Sequence, residues 1–185
     1  RVYFAVSAGE PAETLLRLGP KLDPEHMLTV RGIKLYADGA LGSRGAALLE
    51  KYEDQDTTGL LIFTKEETLP VLEEALKKGI QIQTHAIGDK GNRITLDWYQ
   101  EAFNSIVDEE RKIIDPRWRI EHSQIITKED QIRFRDMEII ASMQPSHAIG
   151  DLHFAPSRLG MQRVGNGYVW RNLIDLGVVV AGGSD

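Results

Sequence analysis

Four residues that can bind a metal or move a proton stand at or near the ends of apolar segments. Lys34 lies in Gly-Ile-Lys-Leu-Tyr-Ala-Asp, His85 ends Gln-Ile-Gln-Thr-His, His122 ends Arg-Ile-Glu-His, and Asp185 follows Gly-Gly-Ser. Imidazole nitrogens and carboxylate oxygens suit Zn²⁺, and an open coordination position generates hydroxide near neutral pH. The 185 residues include no cysteine, which excludes thiolate ligands. The two histidines and the aspartate predict a divalent-metal site.

Each of these residues has an ordinary explanation when it is taken alone. A single histidine at a strand end is usually a hydrogen-bonded core or surface residue. A lysine in a strand usually faces solvent, and Ser-Asp after glycines is a common turn. The prediction depends on their recurrence at matching positions of successive segments. Their separations fit one or two strand–helix units, at about 30 residues or more per unit.

The segments that must position these residues are apolar, β-branched runs that alternate with stretches of helical periodicity. Six strands are predicted, at 1–7, 30–37, 80–85, 118–122, 139–144 and 178–181. Five helices are predicted. Three of them have both ends assigned, at 12–18, 92–110 and 168–176. The other two are assigned by their starts, one at a capping box formed by Thr64 and Glu67 and one at Thr127. Strands that alternate with helices indicate a parallel sheet with right-handed crossovers.

Three other features bear on the predicted elements. Pro70 follows the capping box closely and favours a helix start nearer Thr68, because proline removes a helical hydrogen bond. Residues 147–166 are polar and contain glycines, so they are predicted as a loop. Residues 40–63 form a second long loop, of a length that is often a lid or a binding element.

Two α/β architectures fit this order of elements: a closed (β/α)8 TIM-type barrel and an open, doubly wound sheet. No Gly-x-Gly-x-x-Gly follows a strand and no Gly-Lys-Ser/Thr loop occurs, which disfavours an open-sheet nucleotide enzyme. Reactive residues at the carboxyl ends of several strands favour the barrel, where active sites lie at that end. The expected fold is a partial barrel of about six parallel strands.

Five short motifs resemble the amidohydrolase superfamily when they are taken in order. They are Lys-Leu-Tyr-Ala-Asp-Gly-Ala-Leu-Gly-Ser-Arg (34–44), Thr-His-Ala-Ile-Gly-Asp (84–89), Ile-Glu-His-Ser-Gln (120–124), Gln-Pro-Ser-His-Ala (144–148) and the terminal Gly-Gly-Ser-Asp. The resemblance covers about residues 30–185. Within the superfamily it is most similar to the metal-dependent hydrolases that include N-substituted formamide deformylase.

The resemblance implies a metal-dependent hydrolase of carbon–nitrogen bonds other than peptide bonds, such as amides, formamides or cyclic imides. It implies one or two divalent metals, zinc first, and attack by metal-bound hydroxide. Lys34 matches a lysine that CO2 converts to a carbamate bridging two metals. His85 and His122 match ligands of one metal. Asp185 matches the carboxylate that binds the other metal and takes a proton from the attacking water.

Two further residues are predicted to contact the substrate. His147 follows the strand at 139–144, where substrate contact is expected more than metal binding. Arg44 lies in the loop 40–63, where it would meet a substrate carboxylate or remain a solvated arginine. The open alternative to a catalytic role is a non-catalytic regulatory or binding barrel of the same fold.

One departure from the superfamily concerns its first strand, which ends in His-x-His. Histidines occur only at 26, 85, 122, 147 and 153, and no two are spaced in that way. The predicted strands then correspond to the third through eighth of the barrel. On this interpretation residues 1–185 are a single, partial barrel domain, cut at both ends and inactive by itself.

Charge and hydropathy limit the partners. Lys and Arg number 22 against 28 Asp and Glu, for a net charge of -6, and no basic run offers a surface for nucleic-acid phosphates. No signal peptide occurs, and no apolar run is long enough to span a membrane. We therefore expect no membrane partner and a cytoplasmic location. A small-molecule substrate is the expected partner, and assembly into a homo-oligomer is left open.

Overall fold

The computed structural model describes residues 1–25 and 27–185, so His26 lies outside the described residues. The strands are β1 Val2–Ser7, β2 Lys21–Leu22, β3 Leu28–Tyr36, β4 Gln81–Ala86, β5 Arg119–His122, β6 Ile140–Met143 and β7 Val180–Gly182. The helices are α1 Glu10–Leu18, α2 Lys65–Lys78, α3 Asp89–Ser105, α4 Lys128–Asp136, α5 Pro145–Asp151, α6 Ala155–Arg163 and α7 Trp170–Asp175. Among the described residues, none of these helices combines the length and the hydrophobicity that a membrane crossing requires.

The strands form one sheet in the order β1-β3-β4-β5-β6-β7, and all of these neighbours are parallel. Apart from β2, which pairs antiparallel with β3, each strand lies beside the next one along the chain. A doubly wound sheet reverses its strand order at a switch point, and no such reversal occurs among the described strands. The predicted α/β fold, present as part of a TIM-type barrel, is confirmed.

The two faces of the sheet differ because side chains alternate along each strand. Ile33, Ile82 and Ile120 are fully buried in the main hydrophobic core, with side chains of α2 and α3 such as Leu72 and Leu96. The opposite face carries polar side chains that are partners in register across three strands, namely Lys34, Gln83 and Arg119. One face therefore anchors the helices, and the other leads toward the polar strand ends.

The six predicted strands are confirmed with ends shifted by two residues or fewer, but β2 was not predicted. A strand of two residues is too short to carry an alternation pattern, and its pairing with β3 depends on a tertiary contact. The helix start predicted near Thr68 is wrong. The helix α2 begins at Lys65 with a complete capping box, and Pro70 lies inside it, because a capped first turn outweighs one missing hydrogen bond.

The predicted loop at 147–166 is also wrong, since most of that segment belongs to α5 and α6. Both helices have a proline in their first turn, where its fixed φ favours a helix start. The glycines and polar residues of these two helices favour a loop prediction, although the prolines mark helix starts. The helix α6 is stabilised by burial, since Ala155 and Leu159 pack in a second hydrophobic cluster with Leu41, Tyr52 and Ile125.

We expect Thr64→Ala to lower the free energy of unfolding by about 1 kcal/mol. The Thr64 hydroxyl accepts the backbone N–H of Glu67, and the Glu67 carboxylate accepts the N–H of Thr64. Thr64→Ser retains the oxygen and is the matched control, which should lose much less. Urea denaturation measures both, and equal losses in the two variants would contradict the role of the cap.

Candidate metal centre

The predicted ligands gather on one cavity at the carboxyl ends of the central strands. This cavity has a volume of about 470 Å³. Its titratable lining residues are Lys34, Tyr36, His85, His122, His147, Asp151 and Asp185. Each of the four residues predicted as metal ligands therefore reaches the same space, although they are distant in sequence.

His85 and His122 are in direct contact, with ring centroids 4.5 Å apart in an edge-to-face arrangement. The Nδ1 atom of His122 lies 2.8 Å from the side-chain oxygen of Gln144. Because an amide oxygen only accepts hydrogen bonds, Nδ1 of His122 carries the proton. The Nε2 lone pair is therefore available to bind a metal, in the manner of ligands oriented by outer-shell partners.

The imidazole of His85 is oriented through its Nε2 atom, whereas that of His122 is oriented through Nδ1. Nε2 of His85 lies 3.3 Å from the carbonyl oxygen of Gly39 and 3.5 Å from a carboxylate oxygen of Asp38. Both neighbours are acceptors, so the proton belongs on Nε2 and the lone pair on Nδ1. The two histidines thus offer different nitrogens to the cavity.

The backbone of His122 turns its ring toward the cavity. Residues of a strand alternate between faces, so His122 should share the helix-packed face of Ile120. Instead His122 and Ser123 have φ values of 75° and 44°, a left-handed conformation that costs about 1–3 kcal/mol for residues other than glycine. The Ser123 hydroxyl donates to the carbonyl of Ile120 and stabilises this turn. The strain redirects the imidazole.

Burial keeps both imidazoles uncharged. Desolvation, assisted by the charge of His122, lowers the pKa of His85 to about 4. Desolvation also lowers the pKa of His122, although the hydrogen bond that His122 donates to Gln144 opposes this shift. A metal binds only neutral imidazole, so these residues are in the ligating form at neutral pH.

Lys34 lies beside the histidines in a partly buried position. Its ammonium nitrogen is 5.2 Å from the centroid of the Tyr36 ring. Burial lowers the pKa of Lys34, although the carboxylates of Glu121 and Asp185 oppose this shift. A lowered pKa increases the fraction of uncharged amine, which is the nucleophilic form.

His147 and Asp185 also line the cavity, close to His122. One ligand atom of each of His122, His147 and Asp185 lies within 4.8 Å of the others. Nε2 of His147 is 3.9 Å from a carboxylate oxygen of Asp185. His147, which sequence reasoning assigned to substrate contact, thus lies among the candidate metal ligands. The number of residues between His147 and the other histidines does not indicate that their side chains lie close together.

Arg44 does not line the cavity. Its guanidinium forms a two-point ion pair with Asp54, with distances of 3.0 and 2.9 Å, and Asp54 also contacts Arg158. Arg158 donates in turn to the carbonyl of Gly42. Arg44 therefore pairs within the loop 40–63, while Arg158 links that loop to α6, and the role of Arg44 in substrate binding stays a prediction.

Asp38 is a residue of the site that sequence reasoning missed. Its carboxylate is almost completely buried and accepts the backbone N–H groups of Ala47, Ile87 and Gly88 at 2.8–2.9 Å. Burial raises its pKa to about 7, although the three N–H groups oppose the shift. The available signal was its position directly after the Lys34 strand, inside the motif 34–44. Asp38 joins the loops after β3 and β4 next to His85.

Parallel strands with imidazole, amine and carboxylate groups at or near their carboxyl ends define a site of the TIM-barrel type. The amidohydrolase family model matches residues 1–185, and the chain belongs to that family. The closer resemblance to N-substituted formamide deformylase stays a prediction.

Individual relatives agree with the family assignment. The chain is 35% identical to Protein LONG AFTER FAR-RED 3 of Arabidopsis thaliana over 85% of its length, and covers 27% of that protein. It is 33% identical over 83% of its length to YtcJ of Bacillus subtilis (strain 168), a protein named as an amidohydrolase, and covers 28% of it. All of the chain superposes on 36% of a metal-dependent hydrolase from Pyrococcus furiosus, at 29% identity and a TM-score of 0.85.

We expect Asp38→Asn to lower the free energy of unfolding by about 1–3 kcal/mol, although the two side chains have the same shape. An amide has one accepting oxygen, so at least one of three buried N–H groups would lose its partner. Asp38→Ala should lose more. Urea denaturation at a pH above 7 tests this, with the exposed Asp97→Asn as control. An Asp38→Asn variant as stable as that control would contradict the role of the carboxylate.

We expect His85→Asn to change how stability depends on pH in the metal-free protein. The pKa of His85 is lower in the folded state, so the unfolded chain binds the proton more strongly between about pH 6.5 and 4. The wild type therefore loses stability from this residue as the pH falls through that window, and the variant does not. Urea denaturation at a series of pH values measures the two slopes. Parallel curves would contradict the lowered pKa.

Proposed function

We propose that the protein containing this chain is a metal-dependent hydrolase of carbon–nitrogen bonds other than peptide bonds, with small-molecule amides, formamides or cyclic imides as substrates. The observation that carries the proposal is the convergence of His85, His122, Lys34 and Asp185 on one cavity. Membership of the amidohydrolase family supports it. The chain spans about a third or less of the relatives described above, so the proposal concerns the whole protein.

The donor set fits a divalent metal, and Zn²⁺ is the first choice. His85 offers Nδ1 and His122 offers Nε2, each with its other nitrogen already hydrogen-bonded. Nitrogen and oxygen donors of this kind suit zinc. When bound, such a metal polarises a carbonyl oxygen and lowers the pKa of water. Gln144 and Gly39 set the ring orientations on which this ligation depends.

Lys34 contributes as a carbamate in this proposal. Its uncharged amine attacks CO2, a nitrogen–carbon bond forms, and one proton leaves to solvent. An ammonium group has no lone pair for a metal, whereas the carbamate provides two oxygen atoms. Burial of Lys34, which lowers its pKa, favours the amine that reacts.

Asp185 is the residue placed to move protons in the proposed reaction. Its carboxylate lines the cavity close to His147. It takes a proton from the attacking water and delivers it to the leaving nitrogen, as general acid–base catalysis requires. It also offers an oxygen to the metal. These two roles need a carboxylate that is accessible to the substrate, and the Asp185 side chain is exposed.

The remaining walls of the cavity would select the substrate. Leu41, Ile87 and Phe154 form an apolar part of the lining. Asp151 and Gln124 form a polar part, in which Gln124 donates to the Asp151 carboxylate at 2.7 Å. A substrate with one apolar substituent and one hydrogen-bond donor would satisfy both parts of the cavity.

The test uses the full-length protein, loaded with Zn²⁺ and screened against N-acyl amines, formamides and cyclic imides. We expect Lys34→Ala and His122→Ala each to lower kcat/KM by at least about 100-fold, since loss of a ligand should exceed loss of an outer-shell partner. Lys128→Ala, an exposed lysine on α4, is the control. NMR with isotopically labelled bicarbonate detects the carbamate independently. Full turnover in Lys34→Ala or His122→Ala would contradict the proposal.

A further inference from the structure

We propose that His122, His147 and Asp185 form an alternative metal position, which shares His122 with the position at Lys34 and His85. The inference rests on the proposed function and assigns His147 as a metal ligand. Its basis is the approach of one ligand atom from each residue to within 4.8 Å of the other two.

The distances fit an ion between these side chains better than a direct contact. Nε2 of His147 and the Asp185 oxygen are 3.9 Å apart, which is too long for a hydrogen bond. Donors bound to one tetrahedral zinc ion at 2.0–2.2 Å lie about 3.4 Å from each other. Small rotations of the partly exposed His147 and the exposed Asp185 side chain bring them to that separation.

The turn after β6 directs His147 toward His122. The side-chain oxygen of Gln144 accepts a hydrogen bond from Nδ1 of His122, and its backbone carbonyl accepts the N–H of His147 at 3.0 Å. The rings of His122 and His147 are stacked, with centroids 5.6 Å apart and an angle of 15° between them. One short turn therefore both orients the first imidazole and presents the second beside it.

The far end of α5 is also held in place. The Tyr168 hydroxyl approaches the carbonyl of His147 at 3.3 Å and donates to the carboxylate of Asp151. The Asp151 carboxylate also accepts a hydrogen bond from the side chain of Gln124. The helix that carries His147 is therefore linked to the segment after β5 and to the segment before α7. A ligand on such a helix loses little conformational freedom when it binds.

The two positions exclude each other because the single free lone pair of His122, on Nε2, binds one ion at a time. Before Lys34 reacts with CO2 it offers no oxygen ligand, whereas Asp185 already supplies a carboxylate oxygen to the position at His147. Carbamate formation would add an oxygen ligand to the position at Lys34 and His85.

The experiment measures Zn²⁺ affinity of the full-length protein by competition with a chelator, and counts histidine ligands by X-ray absorption. The starting variant carries both Lys34→Ala and His85→Asn, which removes the two ligands that belong only to the other position. We expect it to keep a Zn²⁺ ion whose histidine ligands include His147. Adding His147→Asn should weaken binding by about 10-fold or more, while adding His153→Asn, at an exposed histidine outside the cavity, should not.

Each outcome separates the inference from the function. If the double variant binds no Zn²⁺ while the wild type does, or if adding His147→Asn leaves the affinity unchanged, the alternative position is wrong. If the wild type binds no Zn²⁺, the proposed function fails as well. His147→Gln repeats the measurement should the Asn variant unfold, and a thermal melt of each variant checks this.

Discussion

The site depends on one interaction: the buried carboxylate of Asp38 accepts three backbone N–H groups from the loops after β3 and β4. These bonds tie the loop after β3 to the loop after β4, next to His85. Space for the arrangement comes from glycine. A Cβ on Gly88 would lie 1.9 Å from the carbonyl oxygen of Ala47, and one on Gly91 would lie 2.5 Å from the Asp38 carboxylate. The motif residues around the histidines are thus needed for close packing as well as for chemistry.

A second hydrophobic cluster stabilises the mouth of the cavity. Leu41 and Tyr52 from the loop after β3 pack with Ile125 and Leu159 from later segments. The shared ion pairs of Asp54 with Arg44 and Arg158 connect the same loops. Long connections after strands are usually mobile, and here burial and charge pairing hold them over the candidate metal centre. The loops that form the cavity walls are therefore packed in a hydrophobic cluster separate from the main core.

Much of the fold could be predicted because its signals are local. Alternating apolar residues define the main strands, and the capping box at Thr64 defines the start of α2. The signals fail where stability comes from distant contacts, as in β2 and in α6, whose Ala155 and Leu159 are buried by other loops. At the site, residues at strand ends could be found from position alone. His147 lies on a helix that sequence reasoning assigned to a loop, and the role of Asp38 is visible only from the N–H groups of two loops.

The sequence by itself determined which chemistry is available: two imidazoles, an amine and a carboxylate at successive strand ends, with no thiolate to compete for a metal. Strand periodicity is a local property of the sequence. It therefore predicted the order of the strands and the strand ends at which the reactive groups lie. Only the tertiary structure decided which nitrogen of each histidine faces the cavity, because Gln144 and Gly39 come from other segments. It also decided that His122 points inward, since a left-handed backbone overrides the alternation of its strand. Ligand geometry depends on contacts between residues far apart in the chain, and no local pattern records them.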